Sequence, residues 1–263
     1  MSAEKRVAVV GALGRMGQMV REAIAREPSL CVGGALERPG HPALGEDCEG
    51  VPLSDDPKSV FADCDVVIDF SLPESTLRNL EVAASQGTAY VTGTTGVDEA
   101  GLAKIRELSS QIPVCHAPNF SLAVNVMAWL VREAAAKLGP DFDAELVELH
   151  HSAKRDAPSG TALHLAEAVA EGRKQALRDH LLLERAGDVG AREPDTIAVQ
   201  TLRGGDNPGE HTVYFVGRGE RIELVHRSAT REHFAEGAVR AAAWLVGKPA
   251  GLYRIEEIFG LEG

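Results

Sequence analysis

The sequence predicts an α/β domain followed by an α+β region, and three observations carry that prediction. In the first half, short and nearly continuous apolar runs alternate with helix-period segments, the pattern of a parallel sheet covered on both faces. A glycine-rich turn, Gly11-Ala12-Leu13-Gly14-Arg15-Met16-Gly17, joins the first run to the first helical segment. Past about Ser121, strands succeed one another across short turns such as Gly217–Glu220, which predicts a mostly antiparallel sheet.

Taken in order, Arg6–Val10 reads as a strand and Arg15–Arg26 as a helix stopped by Pro28. Leu30–Leu36 and Asp65–Phe70 are the next clear strands. Ser71 is the expected N-cap of a helix over Glu74–Ser85, which ends near Gly87. Ala89–Thr92, a helix over Asp98–Ser109 and the strand Ile112–His116 complete the alternation. A helix over Leu122–Leu138 opens the second region. It leads to a strand near Ala144–Leu149, a loop and a helix over Thr161–Glu171. Gly172 to Asp195 is charged and weakly periodic, and is expected to be a mobile excursion with at most a short helix. Strands at Thr196–Leu202, His211–Val216 and Arg221–His226 precede a helix over Arg231–Val246, which stops at Gly247 with Pro249 beyond it.

Composition narrows the function class. The 263 residues are 44% hydrophobic and 25% charged, as in a soluble globular protein, and the formal net charge is −12. Nucleic acid and anionic membrane surfaces both require a basic face, so neither is expected as a partner. Aromatic residues are only 5%, with no interleaved basic face for single-stranded nucleic acid. Cys31, Cys48, Cys64 and Cys115 form no C-x-x-C pair and no cluster with histidine, so neither a disulfide framework nor a metal site is expected, and a reducing cytoplasmic setting is. The opening Met1–Leu13 places charges at Glu4, Lys5 and Arg6 before an apolar run, as a signal peptide does. That run is short and leads straight into the glycine turn, so it reads as a first strand. No apolar stretch is long enough to span a bilayer; Leu122–Val131 is too short and contains Asn125.

Three segments carry chemistry. The first is the glycine turn. Glycines allow tight turning and close approach of a pyrophosphate, and the helix start behind them offers amides and the positive end of a dipole. The spacing is G-x-x-G-x-x-G rather than G-x-G-x-x-G. Glu37 closes the next strand, 20 residues past Gly17, where a carboxylate accepts from ribose hydroxyls; Arg38 beside it can meet a 2′-phosphate. The alternative for that pair is two solvated charges at a strand end. Gly11, Ala12, Leu13, Gly14, Arg15, Met16, Glu37 and Arg38 are therefore candidate dinucleotide contacts.

The second comprises two strand ends, where open α/β sheets bind ligands. Gly93-Thr94-Thr95-Gly96 is either part of such a site or a plain turn. In Ala117-Pro118-Asn119-Phe120, Asn119 either bonds a nicotinamide carboxamide or starts the next helix.

The third is His150-His151-Ser152-Ala153-Lys154-Arg155-Asp156-Ala157-Pro158-Ser159-Gly160-Thr161, the one local concentration of cationic groups in an acidic chain. Ser159 is a good N-cap, and the amides of Gly160 and Thr161 face outward at the helix start. A helix N-terminus, a lysine and a proton-donating histidine together suit an anionic, reducible substrate. Adjacent histidines on a strand point to opposite faces, so both serve one pocket only if the strand ends before them. Neighbouring histidines rarely chelate one ion, and no G-x-S-x-G hydrolase turn is present.

His-His-x-x-Lys-x-Asp-Ala-Pro-Ser-Gly-Thr together with Gly-Ala-x-Gly-Arg-Met-Gly resembles the dihydrodipicolinate reductase family, and the likeness runs from the first strand to Leu252-Tyr253. Val67-Ile68-Asp69-Phe70-Ser71, Asn119-Phe120-Ser121 and Gly209-Glu210-His211-Thr212 resemble family stretches as well, while Ala123 stands where many members carry glycine. The resemblance implies a Rossmann-type dinucleotide-binding domain over 1–121, completed by 231–263. It implies an α+β substrate and oligomerisation domain over 122–230 that builds a homotetramer. It implies that Gly11, Arg15, Met16, Glu37, Arg38, Gly93, Thr95, Ala117 and Phe120 contact NADH or NADPH, with Ala12, Leu13, Gly14, Thr94, Pro118 and Asn119 in the same runs. It further implies that His151, Lys154, Gly160 and Thr161 hold the carboxylates of a small cyclic imine, and that His150 donates a proton. Another two-domain dehydrogenase would share the glycine turn but lack the His-His loop. A nucleotide-binding redox sensor would need an effector module for which the chain has no room.

Overall fold

Strand β1 (Lys5–Val10) sends Val7 and Val9 to one face of a sheet and Ala8 and Val10 to the other, and all four are buried. That double burial is why Val7–Val10 is wholly apolar, while the exposed start of the strand carries Lys5 and Arg6. The computed structural model describes residues 4–261. Residues 1–3 and 262–263, the outer ends of the expected first domain and of the Met1–Leu13 opening, lie outside the described residues.

The elements that follow are α1 (Arg15–Ile24), β2 (Leu30–Leu36), β3 (Asp47–Cys48), β4 (Val51–Ser54), α2 (Pro57–Phe61), β5 (Val66–Asp69), α3 (Pro73–Gln86), β6 (Ala89–Thr92), α4 (Glu99–Leu108) and β7 (Pro113–His116). Next come α5 (Leu122–Leu138), β8 (Asp143–His150), α6 (Gly160–Gly172), α7 (Leu177–His180), β9 (Leu181–Leu182), β10 (Ile197–Arg203), β11 (Gly209–Val216) and β12 (Arg221–Ser228). The chain closes with α8 (Glu232–Leu245), β13 (Gly251–Tyr253) and α9 (Ile255–Phe259). They form two compact units: Met1–Ser121 with Glu232–Gly263, and Leu122–Arg231.

The first unit is built on an eight-stranded sheet of order β13-β7-β6-β5-β1-β2-β4-β3, parallel throughout except where β3 runs against β4. Each face carries its own core. Val7, Ile68 and Val91 pack with α1, α8 and α9 on one side; Ala8, Val67 and Tyr90 pack with α2, α3 and α4 on the other. Helix α3 corrects the expected cap. Pro73 occupies its first position and Leu72 its N-cap, without a side-chain bond, so Ser71 lies one residue outside. Burial pushes the Cys64 thiol up to about 11 and that of Cys115 to about 12, so both are inert.

The second unit carries a five-stranded sheet of order β12-β11-β8-β10-β9. Two of its ladders are antiparallel (β12 with β11, β11 with β8) and two are parallel (β8 with β10, β10 with β9). The sheet is thus mixed, not mostly antiparallel. Helix α6 lies between β8 and β10 in the chain and returns it to run in the same direction, as a crossover helix does. Helices α5 and α6 cover one sheet face, with Met127, Val131, Leu165 and Val169 against Leu146, Val199, Val213 and Phe215. The excursion after α6 is anchored rather than loose: Arg185 and Arg192 both bond Glu145 of β8, and Arg192 also bonds Asp143. Among the described residues no helix is long and apolar enough to cross a membrane.

Candidate functional site

In the first unit, the expected dinucleotide residues lie at the carboxyl ends of parallel strands. Gly11, directly after β1, has φ +65°, open to glycine and strained for other residues. A Cβ on Gly17 would stand 2.1 Å from the Gly11 carbonyl oxygen, so the third glycine of the motif lets α1 close onto the turn. Gly14 is the N-cap of α1 and no side chain caps it, which leaves the first-turn amides to an anionic ligand. Ala12 is buried in the core, whereas Leu13, Gly14 and Arg15 are exposed and Met16 is half-buried. Glu37, at the end of β2, accepts the Leu13 amide at 3.0 Å and the Arg38 amide at 3.1 Å.

The two further strand ends are more deeply set. A Cβ on Gly93 would stand 2.1 Å from the Phe70 ring, which itself meets Phe120 edge-on at 5.8 Å. Thr94 is buried, its hydroxyl 2.7 Å from that of Thr76, while Thr95 is exposed. The Thr94 carbonyl also meets His116 Nε2 at 3.2 Å. Burial lowers the His116 pKa against the opposing effect of that bond. Ala117 and Phe120, both expected to contact the cofactor, are buried. Asn119 Oδ1 accepts the Ser121 amide at 2.8 Å, at the lead-in to α5 that follows Pro118.

The second unit brings together a polar constellation at the end of its core. Along β8 the residues Ala144, Leu146, Glu148 and His150 are buried in alternation, so all four share the face covered by α5 and α6. Strand register extends each position into a row. Val199, Leu146, Val213 and Leu224 stand side by side, then Thr201, Glu148, His211 and His226, then Arg203 beside His150. Within one residue pair the sheet face changes from hydrocarbon to hydrogen-bonding groups.

Glu148 is the centre of that polar end. It is 1% exposed. Its Oε2 meets His150 Nδ1 at 2.5 Å and Arg203 Nη1 at 2.8 Å; its Oε1 accepts from Arg203 Nη2 at 3.0 Å, the Ser159 amide at 3.0 Å and the Thr201 hydroxyl at 3.2 Å. Burial opposes ionisation, but the bonds from His150, Arg203 and Ser159 outweigh it and hold the carboxyl down at about 2. Ser159 caps α6 by accepting the Ala162 amide, and its hydroxyl lies 3.1 Å from His211 Nε2. Burial first, then the neighbouring His150, push His211 down to about 3, so its ring is neutral.

Strand β8 ends with His150, and this resolves the question of the adjacent histidines. His150 is buried on the core face, where a Cβ on Gly209 would stand 2.8 Å from its Nε2. His151 has left the strand, its amide bonded to the Asn207 carbonyl, and its Nε2 receives a bond from Arg231 at 3.3 Å. Lys154 Nζ bonds Asp156 at 2.7 Å, Gly160 is exposed at the start of α6, and Thr161 follows half-buried. Glu148, Arg203, His211 and Arg231 were not singled out as site residues by sequence reading. The alternating strand offers no signal for Glu148, since Ala144-x-Leu146-x-Glu148-x-His150 and Asp143-x-Glu145-x-Val147-x-Leu149 are equally apolar.

Comparison with known proteins identifies the family. The family model described as "Dihydrodipicolinate reductase, N-terminus" matches residues 5–120, and that described as "Dihydrodipicolinate reductase, C-terminus" matches residues 123–259. A protein named 4-hydroxy-tetrahydrodipicolinate reductase from Anaeromyxobacter dehalogenans (strain 2CP-1 / ATCC BAA-258) is 47% identical, covering 98% of each chain. One of the same name from Geobacter sulfurreducens is 47% identical over 98% of this chain and 99% of its own. Among solved structures, a dipicolinate-bound dihydrodipicolinate reductase from Paenisporosarcina sp. TG-14 shares the fold, with a TM-score of 0.79 at 24% identity over 97% of this chain and 99% of that one. With both halves matched and near-half identity kept end to end, the chain belongs to the dihydrodipicolinate reductase family.

Proposed function

We propose that the protein is a 4-hydroxy-tetrahydrodipicolinate reductase, an oxidoreductase that uses NADH or NADPH to reduce a cyclic imine dicarboxylate to tetrahydrodipicolinate in diaminopimelate and lysine biosynthesis. The observation that carries this reading is the placement of His150 and the N-terminus of α6 on the same buried carboxylate, with Lys154 in the loop between them. A dianionic substrate needs cationic and amide donors beside a proton source, and this segment supplies all three.

In the first unit the glycine turn fits a dinucleotide: the start of α1, which no side chain caps, offers the Arg15 and Met16 amides to its phosphates, and Glu37 with Arg38 takes the ribose. Gly93 to Thr95 and Ala117 to Phe120 line the nicotinamide end. When bound, the reduced nicotinamide supplies a hydride. His151, Lys154, Gly160 and Thr161 hold the two carboxylates, and His150 delivers the proton that completes the addition. The Leu122–Arg231 unit is then both substrate domain and assembly domain. The sheet face away from α5 and α6 carries Leu202, Val216 and Val225, each 39–51% exposed, which supports a homotetramer. A biosynthetic reductase with four free thiols, those of Cys48 and Cys115 buried, belongs in the cytoplasm.

The test is an assay with the condensation product of pyruvate and aspartate semialdehyde, followed by consumption of NADH or NADPH. Turnover that requires all three components is expected. A folded protein that binds NADH yet consumes none in the presence of this product would overturn the reading.

A further inference from the structure

We propose that Glu148 is a positioning residue for the proton donor. It fixes which nitrogen of His150 carries the exchangeable proton and ties that ring to the carboxylate-binding end of α6. The inference rests on the function proposed above and extends it to a residue that does not touch substrate.

The argument begins with the cost of the arrangement. A carboxylate that is 1% exposed forfeits its hydration, and such a charge is kept only where bonds replace the lost water. Glu148 has five such bonds, and they join four separate segments: β8 itself through His150, β10 through Thr201 and Arg203, the loop before α6 through the Ser159 amide, and, by way of the Ser159 hydroxyl, His211 of β11. Purely structural ion pairs occur on the same strand: Glu145 bonds Arg185 and Arg192 where its side chain is 22% exposed. Glu148 differs from Glu145 in that one of its partners is the group assigned to proton transfer.

Being ionised, Glu148 can only accept, so the 2.5 Å contact requires a proton on Nδ1 of His150. The second nitrogen, Nε2, is then the atom that gains and loses the transferred proton. In the reductive step Nε2–H gives its proton to the substrate, the ring is left neutral with Nδ1–H still bonded to Glu148, and solvent returns a proton to Nε2 after product leaves. The carboxylate holds the ring plane throughout. Gly209 leaves the space that Nε2 occupies, since a Cβ there would stand 2.8 Å away.

The test is a double-mutant cycle in the full-length protein with the imine substrate. Glu148→Gln should lower kcat on the order of 10²-fold, the lower end of what general acid catalysis supplies, while KM and NADH affinity stay within about threefold. The decisive comparison is Glu148→Gln in a His150→Gln background. If Glu148 acts through His150, the double variant is no slower than His150→Gln alone. Glu145→Gln provides the structural reference: it lowers the melting temperature and leaves kcat unchanged. Multiplying losses in the double variant, or a Glu148→Gln kcat within about threefold of wild type, overturn the proposal. Should Glu148→Gln fail to fold, ¹⁵N spectra of wild-type histidines still decide. Nδ1 of His150 must be protonated at neutral pH, and a neutral ring with its proton on Nε2 refutes the assignment. Failure of the function itself is separable, because it shows as a wild-type protein that does not turn over the imine.

Discussion

Leu13 donates its backbone amide to Oε1 of Glu37 at 3.0 Å, so the glycine turn and the end of β2 share one carboxylate. Glu37 is the residue proposed above to take the ribose. Both Glu37 oxygens already take a backbone amide, from Leu13 and Arg38, which fixes the carboxylate at the turn while lone pairs remain for hydroxyl donors. A 2′-phosphate would face that negative charge, and the exposed Arg38 offsets the repulsion only in part. We expect NADH to bind at least as well as NADPH. Glu37→Ala should weaken NADH by about tenfold, the loss of one charge-assisted bond. Calorimetry with both cofactors checks this; wild-type protein that prefers NADPH by about a thousandfold would contradict it.

His150→Gln and Lys154→Ala test the loop itself. His150→Gln should keep cofactor binding and reduce turnover on the order of 10²–10⁴-fold. Lys154→Ala should be at least as damaging, since it takes a cation from a dianionic substrate. Among the described residues Lys154 forms its ion pair with the exposed Asp156, so melting temperature should hardly move in that variant. Parallel loss of stability and activity would mean that the loop merely packs.

Acid should destabilise the second unit in two overlapping windows. His211 has a folded value of about 3 against an ordinary 6.5, so below pH 6.5 the unfolded chain takes up a proton that the folded ring refuses. Stability therefore falls as pH drops from 6.5 towards 3. Glu148 has a folded value of about 2 against 4.5; its contribution is complete above 4.5 and is lost as pH falls to 2. Both slopes have the same sign. Urea unfolding across pH 7 to 3 should show a steadily falling midpoint, and His211→Gln should flatten the upper part. An equally steep slope in that variant would remove His211 from the account.

Gly237→Ala tests how α8 seats in the first unit. A Cβ at that position would stand 1.7 Å from the Phe120 carbonyl oxygen, and backbone cannot yield as a flexible side chain does. We expect a loss of roughly 3 kcal/mol, at the upper end of overpacking, with weakened NADH binding if the loop ending at Phe120 lines the nicotinamide as proposed. Differential scanning calorimetry reads the first; an unchanged melting temperature would mean that α8 sits elsewhere.

What could be read from the sequence depended on where the determining forces act. Strands β1, β5 and β6 were legible because burial on both faces leaves them compact apolar runs, Val7–Val10, Val66–Ile68 and Ala89–Val91, and α5, α6 and α8 because their periodicity is local. Strands β3, β4, β9 and β13 and the short helices α2 and α9 were not. At two to five residues each, they exist through pairing and packing that sequence neighbours do not encode. The direction of β10 against β8 was hidden for a related reason, since a crossover through α6 leaves no mark on strand periodicity. Within the site, the glycine turn and the His-His loop announced themselves by residue type. Glu148 did not, because an alternating strand offers no sign of which half faces inward until its neighbours are in place.

The core under β1 and β2 is lined by Ala235, Ala238, Val239, Ala242, Leu245, Ile258 and Phe259, all of them after residue 231. A ribosome therefore delivers the whole Leu122–Arg231 unit, which draws on no later segment, before the opening unit can close. The half that is synthesised first is finished last. Until its closing helices emerge, that half waits with an open apolar sheet face, the condition under which nascent chains depend most on chaperones.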